Sequence, residues 1–451
     1  MKHAKRTAAI VALTVSVLVL GTVPVQAQPR SAPGSALRAK PSAAAKATEI
    51  GVSDKTIRIA AIDDVDNPIV PGVLQGIVDG VNAAAKMINA QGGIAGRKLQ
   101  VDFIDSKLNP NEARNAFITA CSQDYAMVGT GALLLGTAQD EIDCKDQAGQ
   151  PTGIPDIAAL ATSVLEACSP VAFPINGSQI DCSTVDQHPQ RYQGLVGDSK
   201  YYVKKFGPLH GTFIVANDSK PTQRASTVLN LMAKQAGIKA DSEVTRSGGA
   251  QQSAYTAIVQ QMKNDGSNYN LDATAVDGTI VMRQEAQLQG LGSDAKVLWA
   301  CPVSCYDKKL VAAGGVMDNT YMTLSFLPFE ETKSNAMLAN FVKYVGKDKV
   351  GGFASWGFTS TLLFKQAVED LVKAHGVNGL TRANLLAALK ATHTFTAAGL
   401  VGNRDAGNKQ ATPCFVIVKF AAGKFTRVYP AKKGTMDCKP SNNAYVEADL
   451  L

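Results

Sequence analysis

The chain has 451 residues and a formal net charge of +7 at pH 7. Residues 1–52 hold seven Lys or Arg and one acidic residue, Glu49, so nearly all of this excess charge lies there and the rest of the chain is close to neutral. This balance excludes a broad basic surface of the kind that binds nucleic acid, and we expect no nucleic-acid partner.

The first 27 residues have the pattern of a secretory signal peptide. Lys2, Lys5 and Arg6 give a positive start, an apolar stretch runs from Thr7 to Val23, and Val25-Gln26-Ala27 is a small-x-small cleavage pattern. An uncleaved N-terminal anchor is the alternative interpretation. No cysteine lies near the cleavage point to accept a lipid anchor. We therefore expect a periplasmic or secreted protein.

The segment after the leader differs in composition from the rest of the chain. Residues 28–52 are mostly Ala, Pro, Ser, Lys and Arg, without apolar periodicity. Such a segment buries too little apolar surface to offset its ordering entropy, so we predict a flexible linker. From residue 53 onward the chain is too long for one compact core, and we expect two domains.

Residues 53–300 alternate short β-rich runs with amphipathic helical runs. The predicted strands are Thr56–Ile62, Leu99–Ile104, Tyr125–Gly129, Gly211–Ala216, Ala273–Val276 and Val297–Ala300. The predicted helices are Val73–Ala90, Asn111–Gln123, Thr222–Ala236, Ala254–Lys263 and Arg283–Leu291. This alternation is typical of an α/β fold, and here it predicts two doubly wound, Rossmann-like lobes with parallel sheets.

The last part of the chain departs from that alternation. Helical runs at Asn335–Val345, Thr359–Lys373 and Arg382–Ala391 precede two strands, Cys414–Ala421 and Lys424–Tyr429, which the turn Ala422-Gly423 joins as a hairpin. Ligands of open α/β sheets bind beyond the carboxyl ends of the strands. Two such lobes facing each other therefore predict a ligand cleft that closes by hinge rotation.

The eight cysteines fall as neighbours along the chain. An even number in an exported protein indicates disulfides. The simplest pairing is Cys121–Cys144, Cys168–Cys182, Cys301–Cys305 and Cys414–Cys438, and other connectivities stay open. A zinc site at Cys301 and Cys305 is the alternative, but no His or second cysteine pair stands at ligand spacing nearby. We predict no metal.

Several motifs occur in a recognisable order. They are Gly76 and Gly80 in the first helix, NAQGGIAGRKL at 89–99, DSKLNP at 105–110, Ala161-Thr162-Ser163, FIVAND at 213–218, AVDG at 275–278 and Trp356. In these features residues 53–435 resemble the type I periplasmic solute-binding proteins of ABC transporters, in particular the branched-chain amino acid (Leu/Ile/Val)-binding family. Gly92, Gly93 and Gly96 permit the backbone angles of a helix-to-strand turn, so this motif indicates the fold and not the ligand.

The resemblance implies a division into lobes. The N-terminal lobe is expected at residues 53–172 plus 303–397, the C-terminal lobe at 173–302 plus 398–438, and a tail at 439–451. The chain is expected to cross between the lobes near 170–176, 300–305 and 395–400. Bridges Cys168–Cys182 and Cys301–Cys305 would lie close to those crossings and limit the hinge.

The resemblance also implies ligand-binding positions: Leu133, Leu134, Ala161, Thr162, Thr222, Asp277, Gly278, Thr279 and Ser304. In relatives that bind amino acids, hydroxyl and backbone amide groups of one lobe hold the carboxylate, and aromatic and acidic groups of the other hold the ammonium. Here Leu133–Leu135 stand where the family often has serines, and no carboxylate stands near Pro302–Ser304. The ligand is therefore open between an amino acid-like and an apolar or aromatic compound.

Each of these positions has a structural alternative. Leu133–Leu135 are alternatively core residues, and Thr162 and Asp277 are alternatively helix caps. Asp63, Asp64 and Asp66 follow the first strand closely enough to suggest a cation site, although such spacing more often belongs to a solvated loop. Trp356 is expected to pack between the lobes rather than to stack on a ligand.

No catalytic motif is present in the sequence. There is no HExxH, no G-x-S-x-G, no GxGxxG and no P-loop, so we expect no enzyme and no cofactor. The favoured function is the extracytoplasmic solute-binding component of an ABC transporter, a monomer whose partners are a small-molecule ligand and a membrane permease. A ligand-sensing receptor of the same fold and an exported scaffold protein are the alternatives.

Overall fold

The computed structural model describes residues 44–292 and 296–451. The predicted signal peptide at 1–27 and the predicted linker up to residue 43 lie outside the described residues. Residues 44–52 are not a free linker as predicted: Lys46 N donates to Asn378 Oδ1 at 2.9 Å and Thr48 Oγ1 donates to Leu380 O at 2.7 Å. Although this segment is polar in composition, its backbone and side-chain donors form hydrogen bonds with residues 378 and 380.

The secondary structure alternates as predicted. The strands are β1 (Thr56–Asp63), β2 (Lys98–Asp105), β3 (Ala126–Val128), β4 (Asp156–Ile157), β5 (Gln190–Leu195), β6 (His210–Ala216), β7 (Lys239–Arg246), β8 (Tyr269–Asp272), β9 (Leu298–Cys301), β10 (Thr320–Leu324), β11 (Val416–Ala421), β12 (Lys424–Tyr429) and β13 (Asn443–Ala448). The α-helices are α1 (Gln75–Ala90), α2 (Pro110–Gln123), α3 (Gln139–Ile142), α4 (Val164–Ala167), α5 (Gly197–Phe206), α6 (Lys220–Gln235), α7 (Thr256–Asn264), α8 (Val276–Leu288), α9 (Lys308–Ala313), α10 (Ala336–Val345), α11 (Gly352–His375) and α12 (Arg382–Lys390).

Two larger sheets organise the lobes, and β13 and β5 form a separate two-stranded sheet. The first has the order β2-β1-β3-β4 and is parallel throughout. The second has the order β12-β11-β10-β9-β8-β6-β7, with a parallel centre and the antiparallel hairpin β11–β12 at one edge. The α/β class with parallel sheets is confirmed. We call the four-stranded sheet with helices α1–α4 and α10–α12 the first lobe, and the seven-stranded sheet with α5–α9 the second lobe.

Helix α1 shows why the first lobe packs closely. Its buried residues Ile77, Val81, Ala84 and Ile88 recur at the spacing of one helix face. Gly80 lies so near α11 that a Cβ there would stand 2.1 Å from Ala354 O. The glycines of this helix therefore permit close contact between two helix backbones.

The motif NAQGGIAGR is a structural turn, as predicted. Gly93 has φ +81°, and a Cβ there would stand 2.0 Å from Arg97 O. Ile94 and Arg97 exchange backbone hydrogen bonds of 2.8 and 2.9 Å. The Arg97 side chain is fully buried and donates to Ser53 O and Val377 O at 2.7 and 3.0 Å, so it ties the turn to two other segments.

Two boundaries near the second lobe's centre differ from the prediction. The strand predicted at Ala273–Val276 is wrong, because β8 ends at Asp272. The Asp272 carboxylate accepts hydrogen bonds from Thr274 N and Thr274 Oγ1 at 3.0 and 2.7 Å, which turns the chain out of the sheet. Helix α8 therefore begins at Val276, well before the predicted start at Arg283.

The lobe boundaries predicted for the last third of the chain also need correction. Residues 303–324 were assigned to the first lobe, but β10 pairs in parallel with β9 in the second. The crossing predicted at 300–305 therefore lies after Leu324, where Phe326 pairs with Val401. The predicted tail at 439–451 contains β13, which pairs antiparallel with β5 along Asn443–Ala448. Such pairing of distant segments leaves no local sequence signal.

All eight cysteines are paired, as the simplest connectivity predicts: Cys121–Cys144, Cys168–Cys182, Cys301–Cys305 and Cys414–Cys438. Bridge Cys168–Cys182 joins the end of α4 to the segment that leads into β5, so it spans the first crossing. Within the described residues, no helix is both long and apolar enough to span a membrane.

Candidate functional site

The carboxyl ends of the two parallel sheets meet at an inter-lobe cleft. Arg224, in the second turn of α6, donates through Nη2 to the backbone oxygen of Thr162, which follows β4. On another part of the cleft, the loops after β1 and β7 approach so closely that a Cβ on Gly249 would stand 2.8 Å from Ile69 O. Segments that follow strands therefore form the contacts between lobes, which is where α/β sheets bind ligands.

A cavity of about 80 Å³ lies between the lobes. The first lobe contributes Gly72, Val73, Gly76, Lys349, Gly351, Phe353 and Ala354, and the second contributes Ala275, Val276, Asp277, Ser304, Asp307 and Lys309. Val73, Val276 and Phe353 give it an apolar part. The charged lining residues are largely paired, since Lys309 Nζ lies 2.6 Å from Asp277 Oδ2 and Lys349 Nζ lies 2.8 Å from Asp79 Oδ1.

The acidic loop after β1 is built into the first lobe. Asp64 accepts hydrogen bonds from Ser106 Oγ and Leu108 N, both at 2.6 Å, and from Leu133 N at 2.8 Å. Burial raises the pKa of Asp64 although these donors act against the rise. Asp63 is fully buried, and burial together with neighbouring carboxylates raises its pKa well above the ordinary value. Within the described residues, no group of three His, Cys, Asp or Glu side chains has the arrangement of a metal site.

The predicted first-lobe positions divide between core and cleft. Leu133 is 8% exposed and packs in the main core cluster, and Leu135 packs in a second cluster, so their side chains are core residues. Leu134 is half-buried. Ala161 and Thr162 are half-buried at the cleft, and Thr162 Oγ1 is shielded from solvent without a hydrogen bond among the described residues.

The predicted second-lobe positions divide in the same way. Thr222 completes a capping box at the start of α6: Ser219 N donates to Thr222 Oγ1 at 2.9 Å, and Thr222 N donates to Ser219 Oγ at 3.2 Å. Thr279 is 4% exposed, with Oγ1 3.6 Å from Cys301 Sγ. Only Asp277 and Ser304 line the cavity, Asp277 in the first turn of α8 and not at a strand end.

Gly278 and Trp356 have packing environments. A Cβ on Gly278 would stand 2.6 Å from Thr274 Oγ1, so this glycine permits α8 to lie against the preceding turn. Trp356 packs against the main core cluster, with its ring centroid 5.3 Å from that of Phe353. Neither residue lines the cavity.

Arg224 is the cleft residue that the sequence patterns did not single out. It stands in the segment SKPTQRAS, where Ser219 and Pro221 mark a helix start and nothing marks the arginine. The sequence offers one signal for Arg224, which is its position: it is a basic residue in the first two turns of a helix that follows a strand of the second lobe. Burial lowers the pKa of its guanidinium, partly offset by Tyr192.

A second buried group of charges lies close to the first crossing. Asp156, Glu141 and Glu166 are all fully buried in the first lobe, and Thr130 Oγ1 donates to Asp156 Oδ1 at 2.7 Å. Burial raises the pKa of all three carboxyls, that of Asp156 to about 7. Lys409, from the last crossing, donates to Ala167 O at 3.2 Å and attracts Glu141 and Asp156. The three carboxyl side chains are fully shielded from solvent, so they are not exposed to a solute in the cleft.

Comparison with known proteins gives a family. A model described as periplasmic binding protein matches residues 56–424, most of the chain. No curated protein sequence matches.

Solved structures share the fold at low identity. A fatty acid ABC transporter substrate-binding protein from Thermomonospora curvata is 16% identical with a TM-score of 0.64, covering 86% of this chain and 97% of that one. The branched-chain amino acid transporter substrate-binding protein LivJ from Streptococcus pneumoniae, in complex with isoleucine, is 17% identical with a TM-score of 0.62, covering 83% and 100%. A substrate-binding protein of an ABC transporter from Aeropyrum pernix is 16% identical with a TM-score of 0.64, covering 86% and 97%.

Proposed function

The chain belongs to the periplasmic binding protein family, and from that premise we propose that it captures a small organic solute between its lobes for an ABC transporter permease. The names of similar structures include a fatty acid transporter protein and an isoleucine complex. From these similar proteins we transfer to this chain only the class of ligand, a small organic compound with an apolar part.

One observation carries this proposal: the cavity between the lobes has walls from both. Val73 and Phe353 belong to the first lobe and Val276 and Ser304 to the second, so hinge rotation would separate the two walls. A solute that touches both walls binds the closed form better than the open form, and it therefore drives closure. The binding role assigned to Leu134, Ala161, Thr162, Asp277 and Ser304 is part of the proposal.

We place the protein outside the cytoplasm, as a monomer that performs no chemistry on its solute. The four disulfides support an oxidising compartment. Asp277, Lys309 and Lys349 of the cavity lining are engaged in ion pairs, and Asp307 Oδ1 accepts a hydrogen bond from Lys309 N at 2.8 Å, which supports capture without catalysis.

A thermal-shift screen tests solute capture. Amino acids, aliphatic acids, aromatic acids and amides are added to the purified protein, and a solute at 100 times its dissociation constant is expected to stabilise it by about 2.7 kcal/mol. Small-angle X-ray scattering with the same solute is expected to show a smaller radius of gyration because the lobes close.

Matched variants localise the binding. Ser304→Phe fills the cavity and is expected to abolish the thermal shift and the compaction. Ser122→Phe places the same ring on the exposed end of α2, away from the cleft, and both responses are expected to persist. If no solute stabilises the protein, or if Ser304→Phe responds like the control, the proposed function fails.

A further inference from the structure

A second cavity, of about 130 Å³, shares none of its described lining residues with the cavity between the lobes. Its walls come from residues 178–183, which follow the first crossing, from residues 408–410 of the last crossing, and from the ribbon of β5 and β13. Because β13 lies beyond residues 56–424, which the family model matches, the family match does not account for this wall.

The ribbon presents one polar and aromatic face to this cavity. Tyr445 lies directly opposite Gln193 in the antiparallel pair of β13 and β5, so both side chains are on the same face. The neighbouring residues Tyr192 and Ala444 point the other way and pack in a core cluster with α6. The Tyr445 side chain is 50% exposed, and the Arg191 guanidinium lies 5.2 Å from its ring centroid on one face. The other face of the ring is therefore open to a ligand.

A buried amide beside this ring has an unused acceptor. Gln193 is 5% exposed and lines the cavity, and its Nε2 donates to Ser178 O at 2.8 Å, which fixes the orientation of the amide. Among the described residues no donor reaches Gln193 Oε1, and a buried acceptor without a donor costs free energy. A ligand hydroxyl that donates to Oε1 removes this cost. Asn408 and Gln410, exposed at the mouth, add amides that donate and accept.

The charges around the cavity are already engaged. Within the part of the chain that the structure describes, two charged residues line it, Asp181 and Lys409. Asp181 Oδ2 accepts from Arg191 Nε at 2.9 Å, and Lys409 Nζ is turned away to Ala167 O of the first lobe at 3.2 Å. A charged ligand would therefore lose water without gaining a free counter-charge, which favours a neutral polar ligand.

We propose that this cavity binds one ring of a neutral saccharide, with a hydroxyl donating to Gln193 Oε1 and the C–H face of the ring packed on Tyr445. A saccharide ring carries both the hydroxyl groups and the apolar face that these two residues require. A cavity of about 150 Å³ holds a benzene ring, so this one is large enough for a single six-membered ring. The site is separate from solute capture between the lobes and does not depend on it.

Titration of the protein with matched probes, followed by ligand-observed NMR, tests the ligand class. Glucose, galactose and N-acetylglucosamine are the neutral saccharides, glucuronate adds a charge to the same ring, and cyclohexanol keeps the ring with a single hydroxyl. At least one neutral saccharide is expected to bind, and glucuronate and cyclohexanol are expected to bind roughly tenfold more weakly or less. Equal binding of glucuronate or cyclohexanol would overturn the proposal, and so would the absence of binding by every neutral saccharide.

Variants assign the binding to the two residues. Tyr445→Ala is expected to weaken saccharide binding roughly tenfold, whereas Tyr445→Phe keeps the ring and is expected to bind as the parent does. Gln193→Met removes the amide at similar length and is expected to weaken binding by a similar factor. Phe103→Ala is the matched control, since it removes an aromatic side chain that is 43% exposed on β2 of the first lobe. Unchanged affinity in Tyr445→Ala would overturn the proposal even if Gln193→Met fails to fold.

One further variant separates this site from the proposed function. Ser304→Phe fills the cavity between the lobes and is expected to leave saccharide binding unchanged. Loss of saccharide binding in Ser304→Phe would place the sugar between the lobes and overturn the second site. Failure of the thermal-shift screen, with saccharide binding still dependent on Tyr445, would remove the proposed function and leave this site standing.

The saccharide has two possible sources with the same chemistry, a free sugar or the end of a glycan chain. Sedimentation of the protein with insoluble cellulose and chitin distinguishes them. Retention that Tyr445→Ala abolishes would support the proposal with a glycan end as the ligand. Binding of free sugars without retention on either polymer would support it with a soluble saccharide as the ligand.

Discussion

Arg404 Nη1 donates a hydrogen bond to Asn176 Oδ1 at 2.6 Å, and this contact joins two of the three segments that connect the lobes. The same guanidinium also donates to Ile175 O and, through Nη2, to Ser325 Oγ at 3.2 Å and Ser325 O at 3.3 Å. Ser325 lies on the remaining crossing, directly after β10. Arg404 is 3% exposed, so one buried arginine holds all three connections together at the hinge.

Replacing Arg404 with methionine is expected to lower the free energy of unfolding by about 3 kcal/mol. The reason is that the acceptors at residues 175, 176 and 325, on two crossings, lose the guanidinium that donates hydrogen bonds to them. Urea denaturation measures the change. Arg114→Met, at an exposed ion pair on α2, is expected to stay within about 0.5 kcal/mol of the parent. Equal stabilities of the two variants would show that the crossings do not depend on Arg404.

The sequence could predict those parts of the fold that are coded locally. Strand–helix alternation, the glycine turn at 92–96 and the hairpin at Ala422-Gly423 each have a short-range physical cause, and each is present. The pairing of β13 with β5 and the place of β10 beside β9 depend on contacts between distant segments. Hydrophobic periodicity does not indicate which distant strands pair. For this reason residues 439–451 were predicted as a tail and residues 303–324 were assigned to the first lobe.

The candidate site was predictable only in outline. The family resemblance implied that Asp277, Ser304 and Thr162 lie near the cleft, because the order of the motifs aligns them with the ligand-binding positions of relatives, and all three lie there. Whether a side chain points into the cleft or into the core depends on packing: Leu133 and Thr279 point inward, and Thr222 serves its own helix. Arg224 was missed because a single cation on a helix is ordinarily a surface residue.

Contact between α1 and α11 gives a second stability prediction. Gly80→Ala places a methyl group where Ala354 O stands 2.1 Å away, so the helices must separate, at an expected cost of about 2 kcal/mol or more. Gly315→Ala is the matched control, since nothing lies within 4 Å of a Cβ at that position. Thermal unfolding compares them. A Gly80→Ala variant as stable as Gly315→Ala would contradict the close helix contact.

The buried carboxyl of Asp156 predicts a pH dependence. Burial raises its pKa from 3.8 to about 7, although the Thr130 hydroxyl and the Lys409 cation act against the rise. Between these two values the folded protein binds a proton that the unfolded chain has released, so the free energy of unfolding decreases as pH rises from about 4 to about 7. Above that range this contribution is constant.

Asp156→Asn removes the titration while keeping an acceptor for Thr130 Oγ1. Between pH 4.5 and pH 7.5 the free energy of unfolding of the parent decreases, and in Asp156→Asn this decrease is expected to be smaller by about 3 kcal/mol. Urea denaturation at the two pH values measures it. Asp186→Asn, at an exposed position, is expected to keep the parent profile. Identical profiles for Asp156→Asn and the parent would mean that Asp156 does not retain its proton in the folded state.

Bridge Cys168–Cys182 is expected to act on ligand affinity as well as on stability, because it spans the first crossing. The double variant Cys168→Ser with Cys182→Ser is expected to lose about 3 kcal/mol of unfolding free energy, the effect of releasing a short closed loop. The freed crossing also changes the balance between open and closed lobes, so the dissociation constant of the best solute from the thermal-shift panel is expected to change several-fold.

Bridge Cys121–Cys144 is the matched control, since both cysteines lie within the first lobe, Cys121 in α2 and Cys144 just after α3. Replacing both by serine is expected to cost a similar free energy of unfolding and to leave the dissociation constant unchanged, because the hinge is untouched. Calorimetry on both double variants separates loss of a covalent restraint from loss of hinge control. If the affinity is the same in both, the first bridge stabilises the protein without influencing lobe closure.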